Sequence, residues 1–311
     1  MRVFLGVPEQ AVSPLVLTIG NFDGVHLGHQ AMLRQLRERA DRLGLPAAVL
    51  TFEPHPREVF TPDQAPARLT SLREKLALLE ACGVDQVYLF RFSRARAAMS
   101  ADDFITRYLV QGLQTRHVIV GDDFHFGQGR KGDLALLKAS GEQYGFTAEA
   151  LETVEQQGDR VSSSAVREAL AQGALVRAAE LLGRPYAIAG RVVHGDKIGR
   201  TLGFPTANVQ LKRKQVPMKG VFAVTVSGLD KRQLAGAASI GVRPTVGKGL
   251  KPVLEVHLLD FAQDVYGAHV TVHFQHRLRD EVKFDSFDAL KRQIALDVQA
   301  TQDYFAGRQN G

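Results

Sequence analysis

Over the first 183 residues, short β-branched apolar runs alternate with longer segments of helical period. Val16-Leu17-Thr18-Ile19-Gly20 is followed by apolar positions at Met32, Leu36, Ala40 and Leu43, a spacing that predicts an amphipathic helix. The pair recurs as strand 47–52 with helix 71–82, strand 86–92 with helix 101–112, strand 117–121 with helix 133–144, and strand 146–154 with helix 163–172. Strands separated by helices pair in parallel, so these units predict a doubly wound parallel sheet. After Leu182-Gly183-Arg184-Pro185 the pattern changes to period two with Gly/Pro turns, as in Val221-Phe222-Ala223-Val224-Thr225-Val226 and His269-Val270-Thr271-Val272-His273-Phe274. That half predicts an antiparallel β-barrel. A helix over 286–305 closes it, with Phe287, Leu290, Ile294 and Val298 as the covering stripe.

The expected domains are therefore 1–183 and 184–311, and a length of 311 residues is about two ordinary domains. With 45% hydrophobic and 23% charged residues, disordered and fibrous classes are excluded. The single cysteine, Cys82, rules out an internal disulfide or a Cys-based zinc site and fits a reducing compartment. There is no signal-peptide pattern and no apolar run long enough to span a bilayer, so a cytoplasmic protein without a membrane partner is expected. The net charge of +6 conceals an asymmetry: 20 basic and 22 acidic residues up to Gly183, but 19 basic and 11 acidic after it. A basic β domain suits nucleic acid or phosphorylated small molecules.

Candidate chemistry clusters at the end of the first strand, in Gly20-Asn21-Phe22-Asp23-Gly24-Val25-His26-Leu27-Gly28-His29. Glycines there let backbone amides approach an anion, and the following helix presents its positive dipole end. His26 and His29 are three apart and can face one ligand. His-x-Gly-His after a first strand is the signature of the nucleotidyltransferase superfamily, and the longer string resembles the FMN adenylyltransferase module of bacterial FAD synthetases. Val161-Ser162-Ser163-Ser164-Ala165-Val166-Arg167 is similar to that family's Ile-Ser-Ser-Thr-x-x-Arg, although three serines are also an ordinary N-cap. Gly121-Asp122-Asp123-Phe124-His125-Phe126-Gly127 resembles its Gly-x-Asn/Asp-Phe-x-Phe-Gly loop. With strand order 3-2-1-4-5 the loops after strands one and four would flank the switch point where ligands bind. The resemblance implies an ATP site of Gly20, Asn21, Phe22, Asp23, Gly28, Asp123, Ser162, Ser163 and Ser164, with His26, His29 and Arg167 on the phosphates. It also implies a flavin site near Pro54, Pro56 and Phe124, where the residues themselves read only as a rigid turn.

The second half has no Gly-x-x-x-x-Gly-Lys-Ser/Thr loop, so any phosphate transfer there needs another device. The segment 190–208 offers Gly190, Gly195, Gly199 and Gly203 with Arg191, Lys197 and Arg200, and ends in Thr206 and Asn208. Two residues apart on an extended chain, these last side chains point the same way and suit shared Mg²⁺ ligation. Gly203-Phe204-Pro205-Thr206-Ala207-Asn208 is the riboflavin kinase signature, and Gly220-Val-Phe-Ala-Val, Ile240-Gly-Val-Arg-Pro-Thr and Lys283-Phe-Asp-Ser follow in that family's order. The whole chain thus resembles prokaryotic bifunctional riboflavin kinase/FMN adenylyltransferases, which implies ATP and Mg²⁺ with riboflavin, FMN and FAD as substrate and products. Gly190, Lys197, Gly199 and Gly203 would then contact ATP, Thr206 and Asn208 the metal, and Arg279 the flavin or a phosphate. In Leu254-Glu255-Val256-His257-Leu258, Glu255 projects away from the leucines and valine, on the side of His257, toward a barrel cavity or solvent. The resemblance makes it the catalytic glutamate. Ser164 and Asp123 stand where the family usually has Thr and Asn.

Two other readings compete. Gly127, Gly129 and Gly132 form G-x-G-x-x-G with Glu149 downstream, as in an NAD(P)-dependent oxidoreductase, though the glycines lie well past their strand. A nucleic-acid-binding module would need aromatics among the basic strand residues, whereas Phe222 and Phe274 sit in apolar alternation, as in a core. Oligomeric state is left open.

Overall fold

The computed structural model describes every residue except Val12, Glu152, Asp196, Lys197, 245–249, 310 and 311. It separates into two compact units, Met1–Pro66 with Lys75–Ser162, and Ala67–Glu74 with Ser163–Gly311. Packing thus divides the chain at Ser162, earlier than residue 183. The reason lies in residues 163–182: two helices, Ser163–Ala171 and Leu175–Leu182, belong with the strand that carries Arg277. Gly173 between them, at φ +73°, is so close that a Cβ would lie 2.4 Å from Cδ of Arg277. Residues 67–74 join the second unit through a buried ion pair of Arg213 with Glu74 at 2.6 Å and a hydrogen bond from the Tyr186 hydroxyl to the Leu69 carbonyl at 3.0 Å.

The first unit is built on strands β1 (Arg2–Leu5), β2 (Leu15–Ile19), β3 (Ala47–Glu53), β4 (Gln86–Arg91), β5 (Thr115–Gly121) and β6 (Thr147–Leu151). They pair in parallel in the order β1-β4-β3-β2-β5-β6, which contains the expected 3-2-1-4-5 and adds one edge strand. All four residues of β1 are exposed, so it carries no buried alternation that a periodicity could reveal. By contrast β2 is buried throughout, as a central parallel strand covered on both faces must be. Helix α1 (Leu27–Leu43) buries Met32, Leu33, Leu36 and Ala40 and ends at Gly44 in the left-handed region, φ +62°. Leu43, expected in that stripe, is 52% exposed at the helix end. The expected helix 101–112 is α-helical only over Ala101–Phe104 and continues as a π-helix over Ile105–Gly112. Its Phe104 and Tyr108 pack edge-on against Phe90 in the core. The strand expected over 146–154 is observed as β6, Thr147–Leu151, and a small ribbon, β7 (Glu155–Gln156) with β8 (Asp159–Arg160), lies beyond it.

The second unit is a closed antiparallel barrel of β9 (Ala187–Val193), β10 (Ala207–Val209), β11 (Gly220–Ser227), β12 (Leu234–Pro244), β13 (Leu250–Leu258) and β14 (His269–Arg279), in the order β10-β13-β12-β11-β14-β9. Phe222 and Phe274 meet at 5.4 Å and 87° inside it and are both fully buried. The closing helix, Phe287–Gln309, turns Leu290, Ile294 and the buried Asp297 toward the barrel, while Phe287 is 67% exposed and lies outside the expected stripe. Among the described residues, no helix is long and apolar enough to cross a membrane.

Candidate active sites

In the first unit the order of strands along the sheet reverses between β2 and β5, and the loops leaving their C-terminal ends border a cleft of about 190 Å³. His26, His29, Asp122, Asp123, Arg160 and Ser162 are among its walls. His26 caps α1: its Nδ1 accepts a hydrogen bond from the His29 backbone N–H at 3.3 Å. The two rings stack at 3.7 Å and 20°, and both line the cleft. Gly28 makes room for this, because a Cβ there would meet the His26 ring at 3.2 Å. Burial first, then the neighbouring charges of His26 and Lys75, holds the His29 imidazole well below its ordinary value. It is neutral at pH 7, one ring nitrogen a donor and the other an acceptor, and its buried Nδ1 has no protein partner.

The Gly-Asn-Phe-Asp-Gly loop is built beneath these rings. Phe22, at φ +49°, is wholly buried and its ring meets that of His29 at 5.0 Å, so its contact is with the histidine. Gly20 leaves space for that ring, 3.1 Å from where a Cβ would stand. Asp23 is buried, and the Asn21 carboxamide oxygen is buried without a hydrogen-bond partner. Across the cleft Arg160 bridges Asp122 at 3.1 Å and Asp123 at 2.8 Å, so the charge that Asp123 adds is met by a cation beside it. A hydrogen bond from Thr153, with Arg160 nearby and burial opposing, keeps the Asp122 carboxyl below its usual range. Ser162 lines the cleft; Ser163, Ser164 and Arg167 start the next helix, in the second unit, where Arg167 Nε donates to the Ala67 carbonyl at 2.7 Å. Pro54 and Pro56 flank His55, which caps the single-turn helix Pro56–Phe60, and Phe124 stacks on Phe126; none of these three lines the cleft.

The Gly127–Gly132 loop is a closed turn. Phe126 and Gly132 exchange backbone hydrogen bonds of 3.0 and 2.9 Å, and a Cβ on Gly132 would strike the Phe126 ring at 2.7 Å. Its glycines are used for close packing. Glu149, the supposed ribose ligand, is held by Arg39, Gln35 and His117 at 2.8–3.1 Å. The oxidoreductase reading therefore fails on geometry.

In the second unit a cavity of about 290 Å³ lies against the barrel wall beneath the closing helix. Strand pairing places Asn208 opposite Glu255, Glu255 opposite Ser239, Ser239 opposite Val221, and Val221 opposite Arg279. Opposed residues of an antiparallel pair share a face. Of this row Glu255, Ser239, Val221 and Arg279 line the cavity, while Leu254, Val256 and Phe222 point into the barrel core. Glu255 and His257 thus share a side, as their alternation predicts, but that side is the outer wall and not the barrel's interior. Thr206 also lines the cavity, and His257 steadies its approach: the ring lies 2.9 Å from the Pro205 carbonyl and edge-on to Phe204. The glycine loop comes close here, since a Cβ on Gly195 would lie 2.4 Å from the Asn208 carboxamide and one on Gly199 3.3 Å from Thr206 Oγ1. Gly203 has a positive φ, +90°, in open space, and Gly190 is a packing glycine within β9, where a Cβ would lie 2.6 Å from the Gln210 carbonyl. Lys197 lies outside the described residues. Arg279 lines the cavity but is gripped by Asp297, with Nε and an Nη at 2.7 and 2.6 Å from the two carboxylate oxygens.

Residues 9–165 match the family model for FAD synthetase, and residues 182–305 match that for riboflavin kinase. The chain is 51% identical over 308 residues to the bifunctional riboflavin kinase/FMN adenylyltransferase of Escherichia coli K12, covering 98% of both chains. It is 54% identical over 287 residues to that of Pseudomonas fluorescens, 92% of each. The chain belongs to the bifunctional riboflavin kinase/FMN adenylyltransferase family. A crystal structure named for a macrolide-efflux protein from Streptococcus pneumoniae superposes with TM-score 0.82 at 31% identity, over 97% of this chain and 99% of that one. In this riboflavin kinase/FMN adenylyltransferase, His26, His29 and Arg160 fall in the first matched span, and Thr206, Glu255 and Asp297 in the second. Motifs missed Arg160, Asp297 and Lys75. Lys75 had a signal, because it stands on the helical face of Leu72 and Leu79 within Leu72–Ala81, where a lysine is out of place.

Proposed function

We infer that the chain carries out two successive ATP-dependent reactions: phosphorylation of riboflavin to FMN in residues 184–311, and joining of FMN to AMP, with release of pyrophosphate, in residues 1–183. The observation that carries this is the presence in one chain, in the family's order, of two separate built clefts, each holding its own signature residues. The single cysteine and the absence of a spanning helix among the described residues suit a cytoplasmic enzyme.

In the kinase site Glu255 takes the proton of the ribityl hydroxyl as its oxygen attacks the γ-phosphorus and ADP departs. Thr206 and Asn208 supply two neutral hard oxygens on the face of Glu255, a donor set that fits Mg²⁺ shared with phosphate oxygens. When bound, the ion neutralises phosphate charge. Gly195 and Gly199 let the backbone pack closely against Asn208 and Thr206, and Gly190, Gly199 and Gly203 are the ATP contacts of this reading.

In the adenylyltransferase site an FMN phosphate oxygen attacks the α-phosphorus of ATP directly, so no protein nucleophile is required. The neutral His29 donates a ring N–H to a phosphate oxygen, His26 presents its ring beside it, and the α1 N-terminus adds its dipole. Ser162 completes the nucleotide contacts of this unit, and Pro54, Pro56 and Phe124 border the flavin. The test is one chromatographed reaction of riboflavin, ATP and Mg²⁺. FMN should appear first and FAD after it, both should cease with EDTA, and absence of FMN or of FAD would refute the corresponding half.

A further inference from the structure

Lys75 is a buried cation that neither reaction uses. It is 5% exposed, and its Nζ lies 3.5 Å from Oγ1 of Thr51, itself fully buried on β3. The Thr51 hydroxyl in turn donates to the Asn21 carbonyl at 3.2 Å. One hydroxyl can do both, giving its proton to the carbonyl while a lone pair faces the ammonium. Asn21 opens the most strained stretch of the first unit: Phe22 at φ +49° and Val25 at φ +42° lie in the left-handed region, which a β-branched residue avoids. Backbone of that kind persists only when its surroundings fix it, and this stretch leads into the His26 cap and the His29 ring.

We propose that Lys75 is a positioning residue of the adenylyl-transfer site, holding the Asn21–Val25 loop through Thr51 and setting the electrostatics beneath His26 and His29. The proposal rests on the assignment of adenylyl transfer to this cleft. Its second effect follows from charge. The charged and titratable groups around His29 are His26 and Lys75 on the protein side and Asp122, Asp123 and Arg160 on the cleft walls. Lys75 is a cation that opposes protonation of His29 and so keeps it a neutral donor.

The variants are Lys75→Met, Lys75→Arg and Thr51→Val in the full-length enzyme, assayed for adenylylation of supplied FMN across pH, with riboflavin phosphorylation as the control for folding. Lys75→Met should lower adenylylation kcat roughly 10- to 100-fold, the cost of small misplacement in a positioned site, with phosphorylation retained. Its acid limb should move to higher pH, and the His29 ring titration, followed by NMR without any substrate, should move the same way. Lys75→Arg should recover most of the rate. Thr51→Val should lose rate without moving the limb, because the charge remains. Unchanged kcat, or a His29 titration that stays in place in Lys75→Met, would overturn the proposal. If the wild type itself failed to adenylylate FMN, the assignment of the cleft would fall, and the substrate-free titration would still decide whether Lys75 acts on His29.

Discussion

Asp297→Ala is the substitution whose cost the structure defines most fully. Asp297 stands on the barrel-facing side of the closing helix with its side chain 8% exposed, and Arg279 on β14 is 21% exposed. Both carboxylate oxygens accept from the Arg279 guanidinium, at 2.7 and 2.6 Å, and Gln293 adds a third bond at 3.0 Å. Removing one partner of a buried pair strands the other charge, which costs about 3–5 kcal/mol. Arg279 borders the cavity and can draw water from it, so the lower end applies, about 3 kcal/mol or roughly a hundredfold in the folding equilibrium. The assay is urea unfolding of the full chain at low and high salt. With two units the midpoint of the barrel's own transition is the quantity to compare. A surface pair would lose its effect in salt, whereas this loss should persist. Riboflavin KM should also rise, since the helix that roofs the cavity loses its polar anchor. A change below about 0.5 kcal/mol, the range of ordinary surface substitutions, would refute the reasoning.

Gly195→Ala would place a Cβ 2.4 Å from the Asn208 carboxamide, and it should abolish most riboflavin phosphorylation while adenylylation of supplied FMN persists; equal activities in a two-substrate assay would contradict that. His29 gives a pH dependence with a definite sign. Its folded value is depressed, so the unfolded chain binds the proton first, and the stability held by the neutral ring is present above about pH 6.5 and is lost as pH falls below it. Wild type should therefore lose stability relative to His29→Gln between about pH 7.5 and about 5.5, and parallel urea midpoints would contradict this.

Much of the first sheet was legible because central parallel strands and their helices leave strong periods: β2 is apolar without interruption and α1 repeats every three to four residues. The edge strand β1 was not, since it buries nothing, and neither was the π-helical turn at 105–112, which keeps an apolar stripe while changing its hydrogen bonds. Histidine spacing pointed to the first cleft, where the start of α1 holds His26 and His29 on one side, and of the Thr206/Asn208 pair Thr206 lines the second. The partners across each cleft were silent. Arg160 reaches back to Asp122 and Asp123, and Asp297 reaches from the last helix to Arg279, contacts set by tertiary packing alone. Alternation put Glu255 and His257 together but could not tell the outer wall of a barrel from its interior; the closing helix decides that.

The most direct test of two chemistries in two separate sites is a reciprocal pair of variants, Glu255→Gln and His29→Ala, with products of riboflavin and of supplied FMN separated by chromatography. Glu255→Gln should lose FMN formation by about 10²–10⁴-fold, as loss of a general base does, and still convert supplied FMN to FAD. His29→Ala should accumulate FMN and make little FAD. Loss of both activities in either folded variant, or survival of FAD formation in His29→Ala, would contradict the account.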